Sequence, residues 1–122
     1  MLTTFDDVRE FTTSGGFRLE GPAPLSQLKS DDTNQLFVTG GAPSSTTWLA
    51  FSVAGFGSLN VPQLGVTVDL TNPSPMGAPR NTDANGNTTF TFFIPSAAEE
   101  LSAWWQAVQV GQTSNALGTY IK

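Results

Sequence analysis

The alternation of apolar and polar residues in short segments limits the fold of this chain more than any other feature. From Leu64 to Leu70 every second residue is leucine or valine, and Gly65, Thr67 and Asp69 stand between them. A strand with one buried face shows this period of two, whereas a helix repeats its apolar positions every three or four residues. Twelve glycines and eight prolines divide the chain into similar segments. The sequence therefore predicts an antiparallel all-β protein.

Six to eight short strands are predicted in all. Besides residues 64–70 they cover 17–19, 35–39, 46–53, 88–95, 103–110 and 116–121, with an irregular leading strand at 8–11. The loop at residues 40–43 predicts that the strands on either side of it pair with each other. Ser96 and Glu99 have the spacing of a capping box, which predicts one helical turn near residues 96–101. Short strands with frequent turns are typical of a β-sandwich, and a small barrel is the alternative.

The length of 122 residues fits a single domain. We expect residues 1–12 to form an N-terminal arm or leading strand, and residues 13–122 to form one β-sandwich domain. The first ten residues have neither the basic nor the apolar region of a signal peptide, so the protein either stays inside the cell or has lost a leader. No apolar run approaches the ~20 residues that span a bilayer, and we predict no transmembrane segment.

The composition excludes several classes of function. The chain contains neither histidine nor cysteine, which removes Ser-His-Asp triads, histidine and thiolate metal ligands, and disulfides. We therefore predict no enzymatic activity and no cofactor. A formal net charge of −5 repels nucleic-acid phosphates and anionic membranes. Only 12% of the residues are charged, about half the usual globular share, and a neutral, hydroxyl-rich surface suits extracellular β proteins and self-assembling coats.

Four short motifs follow one another in the second half of the chain. They are a D-x-x-G turn at 83–86, a strand ending in Ile94-Pro95, an aromatic-x-Q-A strand at 104–107 and an S-N-A-L sequence at 114–117. In this order they resemble the C-terminal β-sandwich modules of large secreted proteins of planctomycetes and myxobacteria, and the G-A-P sequence at 41–43 fits a turn in the first half of those modules. The resemblance spans roughly residues 15–122 and implies a β-sandwich fold and an extracellular setting. Such modules carry no agreed catalytic activity.

The aromatic residues of the last three strands give the most informative prediction of a functional surface. Alternation turns Phe92 and Trp104 toward the core, and their neighbours Phe93 and Trp105 outward. Tyr120 joins them on the outer face of the final strand. Because a soluble monomer seldom leaves such a patch bare, we predict that Phe93, Trp105 and Tyr120 bind a partner, stack on sugar rings or are covered by another segment of the chain.

The predicted N-terminal arm carries four apolar residues that suit this covering or assembly role: Leu2, Phe5, Val8 and Phe11. Within one molecule they would cover the aromatic patch. Between molecules, the arm could add as a strand to an exposed sheet edge of a neighbouring copy.

Two polar features have structural interpretations that outweigh functional ones. Asp83, Asn85 and Asn87 alternate around Gly86, which predicts a hairpin turn, with a calcium loop as the weaker alternative because no glutamate occupies the twelfth loop position. Gln106 lies in phase with the apolar residues of its strand. We therefore predict that its amide is buried and hydrogen-bonded.

These observations favour a non-enzymatic structural or interaction module, located outside the cell or on a cell or particle surface. We expect it to associate with copies of itself or with a surface protein, and to bind no nucleic acid. A carbohydrate-binding module, with Phe93, Trp105 and Tyr120 as the stacking platform, is one alternative. A phage or virion decoration protein is the other.

Overall fold

The chain folds into three stacked β layers in the computed structural model, which describes residues 16–22 and 27–122. The first layer, the front sheet, contains β1 (Arg18–Glu20), β3 (Asp32–Thr39) and β9 (Thr88–Ile94). Its strands are antiparallel and follow the order β1-β3-β9, so that β3 is central and β9 forms one edge.

The second layer, the central sheet, lies between the other two. Its main path, in order, consists of β2 (Gln27–Leu28), β12 (Leu117–Ile121), β10 (Ser102–Gln109), β4 (Thr46–Ser52) and β7 (Ser74–Pro75). Two further short strands, β11 (Gln112–Thr113) and β8 (Arg80–Asn81), pair with β10 and β4. The pairing of β2 with β12 is parallel, and the other pairings are antiparallel.

The third layer, the back hairpin, consists of β5 (Phe56–Val61) and β6 (Val66–Leu70). The predicted alternation in β6 is confirmed, because Val66, Val68 and Leu70 are buried while Thr67 and Asp69 are exposed. These three buried side chains pack with Val108 of β10 in a small second core. The central sheet therefore buries residues on both of its faces.

The main core lies between the front and central sheets. Its buried members are Phe17, Leu19, Leu28, Leu36, Val38, Leu49, Phe90, Ile94, Ala103, Trp105, Ala107 and Ile121. The front sheet contributes every second residue of β3 and β9, as the period of two requires. Phe92 is half-buried and also packs on this core, so the predicted inward face of β9 is confirmed.

The all-β class, the sandwich of short antiparallel strands and a helical turn near residues 96–101 are confirmed, but several local predictions are wrong. The strands that flank residues 40–43 do not pair with each other, because β3 belongs to the front sheet and β4 to the central sheet. The helical turn is a 3₁₀ turn at Ser96–Ala98 whose N-cap residue is Pro95, and no side chain caps it. The predicted capping box of Ser96 with Glu99 is therefore absent from this turn.

Candidate interaction surface

β10 is the strand on which the predicted surface depends, and its orientation differs from the prediction. Trp105 is only 1% exposed and belongs to the main core. Its ring stacks on Phe92, with 4.9 Å between centroids, and lies 5.6 Å from Phe51. Its indole N–H donates a 2.8 Å hydrogen bond to the Thr119 hydroxyl. The prediction that Trp105 faces outward is wrong.

The physical reason is that both faces of β10 are covered. A strand in a two-layer sandwich buries one face and exposes the other, but β10 lies between the front sheet and the back hairpin. Ala103, Trp105 and Ala107 face the front sheet, whereas Val108 and the half-buried Trp104 face the hairpin. Alternation within one strand cannot distinguish the two faces when both are apolar.

Phe93 and Tyr120 are exposed as predicted, at 58% and 43%, but they do not form one patch. Phe93 pairs with Thr33 on the outer face of the front sheet. Tyr120 pairs with Ser102 on β10, and Ser102 alternates with Ala103, which faces the main core. Tyr120 therefore points to the back of the central sheet, and the two rings lie on opposite sides of the sandwich.

A different set of aromatic rings lies on the back of the central sheet. Phe56 at the start of β5 is 61% exposed and meets the half-buried Trp104 edge to face, with 6.2 Å between ring centroids. The indole of Trp104 lies over Gly118 of β12, where a Cβ atom would stand 3.3 Å from the indole nitrogen. Tyr120 follows two residues later on the same face. We call Phe56, Trp104 and Tyr120 the aromatic row.

Phe56 was not predicted as a surface residue, and Trp104 was predicted to face the core. Phe56 falls in a segment rich in glycine and serine, which carries little strand signal. One available signal was the turn sequence at residues 62–65 immediately before the alternating strand β6, since a turn at that point favours a preceding strand and hence a hairpin. That hairpin covers the face of β10 that carries Trp104, while the front sheet covers the face that carries Trp105.

Gln106, also on the back face of β10, is fully buried and hydrogen-bonded, as predicted. Its amide nitrogen donates to the Asp69 carboxylate at 3.0 Å and to the Ser114 carbonyl at 2.7 Å. Its amide oxygen accepts the Asp69 backbone N–H at 2.8 Å. The side chain thus connects the back hairpin to the loop before β12.

Ser114 and Asn115 extend this network. The Ser114 hydroxyl accepts the Ala107 backbone N–H at 2.9 Å. The Asn115 side chain accepts the backbone N–H of Leu19 at 2.8 Å and donates to its carbonyl at 3.1 Å, as a paired strand would. The Q-A and S-N motifs therefore hold the three layers together.

The sequence around Asp83 forms a turn, but not the predicted hairpin turn, because β8 before it pairs with β4 and β9 after it pairs with β3. One Asp83 carboxylate oxygen accepts the backbone N–H groups of Asn85 and Asn87 at 2.8 and 2.9 Å. The Asn87 side-chain oxygen accepts the Gly40 N–H at 3.1 Å. A calcium ion would have to share both oxygens with these donors. Within the described ranges, no three acidic side chains cluster as metal ligands.

An open groove of about 320 Å³ lies on the front sheet, and Thr33, the pairing partner of Phe93, is one of its lining residues. The other lining residues are Pro22, Gln27, Lys29, Asp32, Asn34, Gln35 and Phe37. It combines hydroxyl, amide and charged groups with one half-buried ring. This groove is the second surface on which a ligand could rest.

The four arm residues predicted to assist assembly, Leu2, Phe5, Val8 and Phe11, lie outside the described residues, as does the predicted strand at 8–11. Between residues 16 and 122, leaving out 23–26, the structure has no helix of the length and apolarity needed to cross a bilayer.

No family model, curated protein or solved structure matches this chain. The similarity to secreted β-sandwich modules therefore stays a prediction from the sequence motifs.

Proposed function

We propose that this protein is a non-enzymatic interaction module, acting outside the cell or on a cell or particle surface, that binds a partner protein through its aromatic row. The observation that carries the proposal is the exposure of Phe56, whose ring meets Trp104, and of Tyr120 on the same face of the central sheet. Tryptophan and tyrosine are enriched among the residues that dominate binding energy at protein interfaces. Exposed apolar patches on soluble proteins frequently mark such interfaces.

The polar residues support a binding role over a catalytic one. Gln106 and Gln109 are the two largest fully buried polar side chains. Their hydrogen bonds hold loops and strands in place. Gln109 accepts the Ala42 N–H at 2.9 Å and donates to the Thr47 hydroxyl at 2.9 Å. Polar groups with such complete structural partners are poorly placed to attack a substrate or to transfer a proton.

The geometry of the aromatic row favours a protein over a flat polysaccharide surface. Phe56 and Trp104 meet at an interplanar angle of 68°, so their faces do not lie in one plane. A flat sugar chain could stack on one of these rings but not on both. A partner side chain, by contrast, can enter the angle between two rings and contact both of them.

A photo-crosslinking experiment tests the proposal. Tyr120 is replaced by p-benzoylphenylalanine, and the protein is irradiated with the surface and secreted proteins of its source cell. We expect one discrete adduct, which disappears when Phe56→Ser is added. The same amino acid placed at Thr67, exposed on the back hairpin, is the matched control. Equal labelling from both positions, or none from Tyr120, would contradict the proposal.

Carbohydrate binding is the second candidate, and the front sheet favours it. Phe93 is 58% exposed and pairs with Thr33, which lines the open groove together with Gln35. An exposed ring beside hydroxyl and amide groups is the arrangement that sugars recognise. Soluble glycans are tested by affinity electrophoresis of the wild type, with Phe93→Ala and Tyr120→Ser as paired variants. Retardation lost only in Phe93→Ala supports this candidate, and no retardation across a broad panel retires it.

A further inference from the structure

We propose that two copies of this protein associate by antiparallel pairing of their β9 edges, which joins two three-stranded front sheets into one six-stranded sheet. This association is independent of the aromatic row, which lies on the opposite side of the sandwich. The occupant of the β9 edge is a second copy of the same strand.

β9 is a long strand at the edge of the front sheet. It has seven residues and pairs only with β3 among the described strands. The other edge strands of the front and central sheets have two or three residues each. β5 is also long, but its pairing with β6 is interrupted between Phe56 and Leu59, and such irregularities discourage strand addition.

The backbone groups of β9 point alternately toward β3 and away from it. The Ile94 carbonyl faces β3, where it accepts the Asp31 N–H at 2.6 Å. Backbone groups alternate in direction along an antiparallel strand, so those of Thr89, Thr91 and Phe93 point to the edge of β9 that pairs with no described strand. Each of these residues offers one donor and one acceptor, and an added extended strand satisfies them.

The sequence of β9 contains none of the residue types that normally prevent edge pairing. Its sequence from Thr88 to Ile94 contains no charged residue, no proline and no glycine. Natural edges are usually protected by charges, prolines or bulges. Threonine and phenylalanine also have high strand propensity, so the strand suits the pairing it offers.

Two copies of β9 are complementary to each other when they pair in antiparallel. In a symmetric antiparallel pair centred on Thr91, each Thr91 faces its own copy, and each Phe93 faces Thr89 of the other molecule. These side chains share the outer face of the front sheet with Phe93 exposed. The pairs are therefore threonine with threonine and aromatic with β-branched, which stabilise neighbouring strands. No like charges meet at the centre of the interface.

The net charge of −5 opposes association at long range. Salt screens this repulsion without weakening backbone hydrogen bonds. We therefore expect dimerisation to strengthen as the ionic strength rises, which is the opposite of an interface built on ion pairs.

Cysteine crosslinking tests the register directly, because the natural chain contains no cysteine. In the proposed dimer the two Thr91→Cys side chains lie opposite each other, and mild oxidation should convert most of that variant to a covalent dimer. Gln35→Cys is the matched control, since Gln35 pairs with Thr91 on the central strand of the same sheet. Crosslinking of Thr91→Cys no faster than that of Gln35→Cys would overturn the proposal.

Sedimentation and amide exchange of the unmodified protein separate the possible occupants of the edge. We expect a monomer to dimer shift between micromolar and millimolar protein, lost in Thr91→Lys and kept in Gln35→Lys. We also expect the Thr91 and Phe93 amides to gain protection only when the dimer forms. A protein that stays monomeric, or whose amides are equally protected in dilute monomer by another segment of its own chain, would overturn the proposal.

Discussion

Replacing the buried Gln106 by leucine tests whether the Q-A motif holds the layers together. Gln106→Leu keeps a side chain of similar size but removes three hydrogen bonds. Asp69 is exposed, and its carboxylate can turn to water. The backbone N–H of Asp69 in the hairpin and the carbonyl of Ser114 in the loop before β12 each lose a hydrogen-bond partner. An unpaired buried polar group costs about 1–3 kcal/mol.

Two such groups amount to roughly 2–6 kcal/mol, and the more apolar side chain offsets about 1 kcal/mol of this. We therefore expect the free energy of unfolding to fall by about 1–5 kcal/mol, against a total of about 5–15 kcal/mol for a domain. Urea denaturation followed by tryptophan fluorescence measures this difference. Gln63→Leu, at an exposed position in the hairpin turn, is the control and should change stability by less than about 0.5 kcal/mol. Equal urea midpoints for Gln106→Leu and the wild type would show that the hydrogen bonds of Gln106 do not stabilise the fold.

Two further substitutions test the close packing of the loops. Gly86→Ala should lower stability by more than about 2 kcal/mol, because the backbone φ is +83° and a Cβ atom would overlap the Gly41 carbonyl; Gly65→Ala, at φ +69° in open space, should cost only about 1 kcal/mol in a thermal melt. Asn115→Ala removes both side-chain bonds to Leu19, so the Leu19 amide should exchange at least about ten times faster with deuterium, a change of about 1.4 kcal/mol in local opening. Similar melts for the two glycine variants, or unchanged Leu19 exchange, would count against these contacts.

The sequence predicts strands where local alternation is unambiguous. In β6 the alternating valines and leucine match the buried face, and in β9 the same holds for Phe90 and Ile94. The turn at Asp83 is equally local, since one carboxylate accepts two backbone N–H groups within four residues. Such features follow from periodicity and turn chemistry alone.

Contacts between distant strands explain the errors. The loop at residues 40–43 looks like a hairpin connection, yet it crosses from the front sheet to the central sheet because β3 pairs with β9 and β4 with β10. The two adjacent tryptophans of β10 are nearly equivalent in sequence. The front sheet buries Trp105 on one face of β10, and the back hairpin leaves Trp104 half-buried on the other face.

The candidate surface was therefore predicted in part. Tyr120 was identified correctly as an exposed ring, and Phe93 is exposed but on the other side of the molecule. Trp104 and Phe56 take the place of Trp105 beside Tyr120. Adjacent residues of a strand point to opposite faces of the sheet, so exchanging the predicted faces of Trp104 and Trp105 changes which rings lie near Tyr120.

β10 holds Trp105 inside the main core and leaves Trp104 half-buried on the back of the central sheet. Nuclear magnetic resonance of the indole N–H groups with a soluble paramagnetic compound measures this directly, with Trp104→Phe and Trp105→Phe assigning the signals. We expect the Trp104 signal to broaden strongly as the compound is added, and the Trp105 signal, bonded to Thr119, to remain sharp. Equal broadening of the two signals, or stronger broadening of the Trp105 signal, would contradict this placement of the two indoles.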